Sequence, residues 1–125
     1  MVAKVVSTGM FSFQAADAVI QGTTLYAAIT GSVTADMGLW TWNMTDAMDG
    51  NAGTVWNQNA AMLGFLAVDR PRALDVIGHT VVMLTPSTTA GKVSLINVTS
   101  PDSPFLLGQA AFTTTNTTNT FGDSA

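Results

Sequence analysis

The residues of this chain that could do acid-base chemistry are few, and His79 is the first to consider. It is the only histidine, it follows Asp75 by four residues, and the chain has no cysteine and no glutamate. A catalytic dyad needs a nucleophile and an oriented base within hydrogen-bond reach, but no Gly-x-Ser-x-Gly turn accompanies His79. Because so few groups can transfer a proton near neutral pH, the sequence predicts a non-enzymatic protein with a structural or surface histidine.

Three oxygen-bearing side chains, Asp46, Asp49 and Asn51, lie close together in a polar stretch. Because Ca²⁺ takes about six to eight oxygen ligands in proteins, a calcium site is one interpretation. The order Asp-x-x-Asp-Gly-Asn lacks the alternating ligands and the distal glutamate of an EF-hand loop, and these residue types are also typical of turns. We favour a turn within a loop over residues 45–53, and we expect no cofactor.

Three tryptophans, Trp40, Trp42 and Trp56, are the other residues with binding potential. An indole has a flat apolar face and a polar N–H at its rim, so exposed tryptophans would suit a carbohydrate-binding or adhesion module. Tryptophan is also enriched in subunit interfaces. We favour a position in the core or in a subunit contact.

The composition indicates a surface with unusually little charge. The chain has 4 Lys+Arg, 8 Asp+Glu and a net charge of −4, and 10% of its residues are charged where a soluble domain has about 25%. Its four scattered cations form no basic stripe for phosphates, and its longest apolar run, residues 60–68, is too short to span a bilayer. We therefore expect neither nucleic acid nor membrane as a partner, and instead a homo-oligomer packed against other protein.

The length of 125 residues suits one domain with its own core. The absence of cysteine removes the disulfides that stabilise many small secreted domains, and residues 1–13 lack the pattern of a signal peptide. We expect synthesis and use without secretion.

The residue types favour strands over helices. Nineteen threonines accompany many valines, isoleucines and aromatic residues, which suit a pleated, half-buried surface. The sequence predicts a mainly β fold, a small β-sandwich or barrel-like domain with extended terminal arms and at most one or two short helices. We expect residues 1–112 to form this single domain and residues 113–125 to form an extended Thr/Asn-rich arm. The candidate strands are residues 4–6, 24–29, 38–42, 62–68, 80–84, 92–98 and 105–112.

Alternation marks two of these strands as two-faced. Trp40 and Trp42 share one face of the first, and Ser94, Ile96 and Val98 share one face of the second. Short helices are the alternatives at residues 69–78 and 104–111, with a single helical turn at 15–19.

Residues 62–68 show no alternation, which predicts a central strand buried on both faces. We expect Leu63, Phe65 and Leu66 to be among the best-packed residues, and Gly64 to admit a close neighbour.

The segment Asn-Ala-Ala-Met-Leu-Gly-Phe-Leu-Ala-Val, residues 59–68, resembles a segment of the lambda-type head decoration proteins of tailed phages, where a similar stretch forms an interior strand. The resemblance implies a small, cysteine-free, β-rich protein with extended termini that binds the outside of an icosahedral shell. The polar arm of this chain is C-terminal, whereas the lambda-type arm that meets the shell is N-terminal, so the lambda fold itself is not assigned.

These patterns together predict a virion structural protein on the capsid exterior that clamps the major capsid protein or other virion subunits. Its arms would add strands to neighbouring sheets. The alternatives are a tail, tube or pilus-like fibre subunit, which would assemble head-to-tail, and the carbohydrate-binding or adhesion module. The predicted interface residues are Phe11, Phe13, Trp40, Trp42, Trp56, Thr114, Asn116 and Phe121.

Overall fold

The computed structural model of the chain describes residues 5–6, 13–31, 34–51, 53–86 and 90–113. Within them the protein is mainly β, with two four-stranded antiparallel sheets, two short helices and no closed barrel. The predicted small β-sandwich is confirmed.

The first sheet is built from the N-terminal half of the chain. Its strands are β2 (Phe13–Gln21), β3 (Thr24–Gly31), β4 (Gly38–Asn43) and β6 (Met62–Ala67). They lie in the order β2-β3-β4-β6, and all neighbouring strands run antiparallel.

The second sheet follows in sequence and is a meander of consecutive strands. Its strands are β7 (Ala73–Ile77), β8 (Thr80–Thr85), β9 (Ala90–Asn97) and β10 (Phe105–Thr113). They lie in the order β10-β9-β8-β7, and this sheet also is antiparallel throughout.

A small layer covers the other side of the first sheet. It contains the parallel pair of β1 (Val5–Val6) with β5 (Trp56–Asn57), and the helices α1 (Thr45–Met48) and α2 (Gln58–Ala61). Both helices are four residues long, so neither helix of the described residues can cross a membrane.

All seven predicted strands coincide with observed strands, and three further strands were not predicted. Of these three, β2 lies where a single helical turn was the alternative and β7 lies where a short helix was the alternative, and both helical alternatives are wrong. The helical alternative at residues 104–111 is also wrong, because β10 pairs with β9 along its length.

The prediction of a central strand at residues 62–68 is wrong, because β6 is an edge strand of the first sheet. Leu63, Phe65 and Leu66 are half-buried, and Met62 is 40% exposed. The segment that resembles the lambda-type proteins therefore forms a short helix and a sheet edge here, not an interior strand. The expectation for Gly64 is confirmed, since a Cβ there would lie 2.6 Å from the Pro101 carbonyl oxygen.

The central strands of the first sheet are β3 and β4, whose middle residues are buried on both faces. One face packs against the second sheet, where Tyr26, Ala28 and Leu39 meet Val81, Met83 and Ile96 in one cluster. The predicted alternation of β9 is confirmed, because Ser94, Ile96 and Val98 are all at most 1% exposed.

Two polar side chains connect elements that are distant in sequence. Asp17, in β2, accepts a hydrogen bond from the Leu74 N–H at 3.1 Å and so links the edge strands of the two sheets. Thr41 is fully buried in β4, and its hydroxyl donates to the Pro101 carbonyl at 2.6 Å. This bond anchors the β9–β10 connection against the inner side of the first sheet.

Replacing Thr41 by the isosteric valine is expected to lower the free energy of unfolding by about 1–3 kcal/mol, because the partly buried Pro101 carbonyl loses its donor. Urea denaturation measures the change. Thr99→Val is the matched control at an exposed position, where we expect a change within about 0.5 kcal/mol. Equal losses in the two variants would contradict the assigned role of the Thr41 hydroxyl.

Candidate binding surface

His79 lies in the tight turn between β7 and β8, where Ile77 pairs with Thr80 and Gly78 has a φ of 61°. The His79 side chain is exposed, and its carbonyl accepts a hydrogen bond from the Val98 N–H. Asp75, the candidate partner, hydrogen-bonds the neighbouring Val76 N–H instead. The turn therefore gives His79 a structural backbone contact.

The stretch with Asp46, Asp49 and Asn51 forms helix α1 and the turns that follow it. Asp49 accepts a hydrogen bond from the Asn51 N–H, and Asn51 accepts one from the Gly53 N–H. The Thr54 side chain and then the Asn51 N–H lower the pKa of the Asp49 carboxyl. Across the described ranges, no three His, Cys, Asp or Glu side chains gather as ligands for a metal ion.

All three tryptophans are buried inside the chain, at 4–6% exposure. Trp40 and Trp42 lie on the same face of β4, as predicted, with ring centroids 5.7 Å apart, and Trp40 also packs on Phe65 at 4.9 Å. Each indole N–H donates to a backbone carbonyl, of Asp36, Gln58 and Asn43 respectively. These residues form the core between the first sheet and its covering layer.

Burial of the indoles bears on the sugar-binding alternative, which needs an exposed ring face. A shallow depression of about 250 Å³ does reach Trp42 and Trp56, but its other lining residues are apolar except Gln58. A carbohydrate site needs several polar groups to fix the hydroxyls. The tryptophans therefore offer no sugar platform on the described surface of this chain.

Of the other predicted interface residues, Phe11, Thr114, Asn116 and Phe121 lie outside the described residues. Phe13 begins β2. The assignment of these five residues to an interface stays a prediction.

A surface that the sequence reasoning did not identify is the outward side of the second sheet, which we call the outer face. Register places alternate residues of all four strands there: Ile77 pairs with Thr80, Val82 with Leu95, and Leu84 with Val93. The outer face has its apolar centre in Ile77, Val82, Leu84, Val93, Leu95 and Phe105. A sheet with one face on the core normally has polar residues on its other face.

Three of the six residues at the apolar centre of the outer face are exposed, and Val82, Leu84 and Val93 are half-buried. Ile77 is 64% exposed, Phe105 is 54% exposed and Leu95 is 41% exposed. Asp75 is the only charged residue that register places among the described positions of the face, and it belongs to the edge strand β7. An apolar centre with its charge at the rim is the arrangement of a protein interface.

The β10 edge of the second sheet adds to this surface. Strand β10 carries no charged residue from Phe105 to Thr113, whereas natural edge strands commonly use charge to prevent pairing with other chains. A register shift between Leu106 and Gly108 interrupts the ladder, and Leu106 and Leu107 are 44% and 53% exposed. The edge strand and the outer face together form one extended apolar surface.

The alternation in residues 92–98 contained the signal for this surface. Val93 and Leu95 fall on the face opposite Ser94 and Ile96, so both faces of β9 are apolar.

Comparison of the chain with protein-family models, with curated proteins and with solved structures finds no match.

Proposed function

We propose that this chain is a non-enzymatic virion structural protein that binds the exterior of a phage capsid shell and stabilises it. The observation that carries the proposal is the outer face, an open apolar sheet surface with one charge at its rim. Exposed apolar patches of this kind mark protein interaction sites. The scarcity of charge in the whole chain and the resemblance of residues 59–68 to head decoration proteins support the choice of a capsid.

The partners that fit this surface are the major capsid protein or other virion subunits, and further copies of this chain. A flat apolar sheet face fits another sheet face at a spacing of about 10 Å. The uncharged edge of β10 offers backbone groups to a strand of a neighbour. Both contacts would be made without moving the core of the sandwich.

The experiment that tests the capsid role is immunogold labelling of native virions with antibodies against this chain. We expect label over the capsid exterior. Label confined to the tail would favour the fibre or tube alternative, and virions without label would overturn the proposal.

The role of the outer face is tested separately with Leu95→Asp. We expect this variant to raise the dissociation constant for self-association at least about tenfold, because the contact would bury an unpaired carboxylate. Sedimentation velocity over a dilution series measures the change. Because the substituted side chain points away from the core, thermal melting of the monomer should stay cooperative.

Val55→Asp is the matched control for Leu95→Asp. Val55 is 47% exposed and lies outside the second sheet, so this variant adds the same charge elsewhere. We expect it to associate like the original chain. Equal loss of association in both variants would show a general charge effect and would contradict the assignment of the outer face.

A further inference from the structure

Three of the four cationic residues of this chain lie together where the chain crosses from the first sheet to the second. Arg70 and Lys92 line a cleft of about 280 Å³, together with Asp69, Thr85 and Gln109. Arg72 lines an adjoining depression that shares Arg70 with the cleft. Arg70 and Arg72 are two positions apart in the sequence, and the fold brings Lys92 to the same cleft as Arg70.

The backbone around Arg70 is fixed on both sides. The Thr85 hydroxyl donates to the Asp69 carbonyl at 3.0 Å, and the Arg72 N–H donates to the Leu84 carbonyl at 2.8 Å. Pro71, between them, is fully buried. The connection that carries Arg70 is therefore anchored to the end of β8. The backbone to which the Arg70 side chain is attached has a defined position.

Arg70 has a backbone conformation that its residue type does not favour. Its φ is 44°, and it is the only non-glycine residue with a positive φ in the described ranges. A residue before proline also avoids the helical regions, and left-handed conformation costs a side chain about 1–2 kcal/mol. The chain uses glycine at its other left-handed positions, so an arginine here is best explained by a use for its side chain.

Among the described residues no ion pair engages the two cationic side chains of the cleft, Arg70 and Lys92, although Asp69 lies in the same wall. The Gln109 amide, which donates to Ser94 at 3.0 Å, adds a neutral polar group held in place by the core. A guanidinium, an ammonium and an amide around one opening suit carboxylate oxygens.

We propose that this cleft is a binding site for carboxylate side chains of a short acidic segment of a partner protein. Charge complementarity favours a short segment over a long polyanion, because the chain carries a net charge of −4 and would repel an extended one beyond the cleft. The site lies at one end of the sandwich and does not depend on the outer face or on the capsid role.

The test uses the full chain and a hexa-aspartate peptide with blocked ends, with a hexa-asparagine peptide as the uncharged control. Isothermal titration calorimetry should show binding of the aspartate peptide alone, weakening as salt rises from about 0.05 to about 0.3 M. Binding of both peptides alike, or of neither, would overturn the proposal. Displacement of the aspartate peptide by equimolar inorganic phosphate would also overturn it, by indicating a phosphate site.

The decisive variant is Arg70→Gly, because glycine suits the left-handed backbone at this position. We expect its melting temperature to stay the same or to rise while affinity for the aspartate peptide falls about tenfold, the loss expected for one charge-assisted contact. Lys92→Gln should show a similar loss. Arg72→Gln, which removes an equal charge from the adjoining depression, should lose less affinity than either, and an equal loss would overturn the proposal.

Discussion

Replacing Gly38 by alanine is expected to lower the free energy of unfolding by about 2–6 kcal/mol, a large share of the stability of a typical domain. Gly38 begins β4 with a φ of +150°, which side chains rarely adopt. A Cβ there would overlap the Leu66 carbonyl oxygen and lie 2.8 Å from the Val68 nitrogen, both of them backbone atoms that cannot rotate away. Backbone strain and overpacking each contribute about 1–3 kcal/mol in such cases.

Chemical denaturation of Gly38→Ala, followed by tryptophan fluorescence, measures this loss. Gly22→Ala is the matched control, because Gly22 also has a positive φ but has no atom within 4 Å of the added Cβ. We expect the control to lose only about 1 kcal/mol. If the two variants lost equal stability, the close approach of β4 to the end of β6 would not be what requires glycine at position 38.

Replacing Ile96 by alanine is expected to lower the free energy of unfolding by about 2–5 kcal/mol, the range for emptying a packed aliphatic site. Ile96 is 0% exposed and lies in the cluster between the two sheets. Its neighbour in the same strand, Leu95, is 41% exposed on the outer face. Leu95→Ala should therefore cost the dilute chain less than about 1 kcal/mol.

The pair of variants separates folding from association because adjacent residues of one strand point to opposite faces. Unfolding should be measured by urea denaturation at a protein concentration low enough to keep the chain monomeric. At high concentration, Leu95→Ala should weaken self-association. A loss of monomer stability at Leu95 as large as that at Ile96 would mean that the outer face is covered within the chain.

The sequence predicted the fold class because most strands carry a strong local signal. Residues such as Thr24, Trp42 and Ile96 combine strand-forming side chains with nearby turn formers, and the seven candidate strands were all found. The strand β7 was missed because Pro71 and Gly78 flank it as they would flank a short helix. Whether this segment forms a strand or a helix depends on its pairing with β8, which the residues of the segment itself do not reveal.

The position of a strand within its sheet was not predictable from its own residues. Residues 62–68 are continuously apolar because both faces of β6 pack within the chain: Phe65 packs on Trp40 on one side, and Leu66 contacts the inter-sheet core on the other. The strand nevertheless lies at the edge of its sheet. The candidate surface was missed for a related reason. Apolar residues on both faces of β9 are visible in the sequence, but which face meets the core depends on the partner sheet.

The division of the chain into two consecutive sheets has a consequence for how copies of it can associate. Each four-stranded sheet is built from one continuous stretch of the chain, so each sheet can close its own loops before the two sheets dock. Only residues 68–72 connect the last strand of one sheet to the first strand of the other. If that connection straightens, the first sheet of one copy can dock on the second sheet of another, which gives an interlocked dimer with the same core contacts as the monomer.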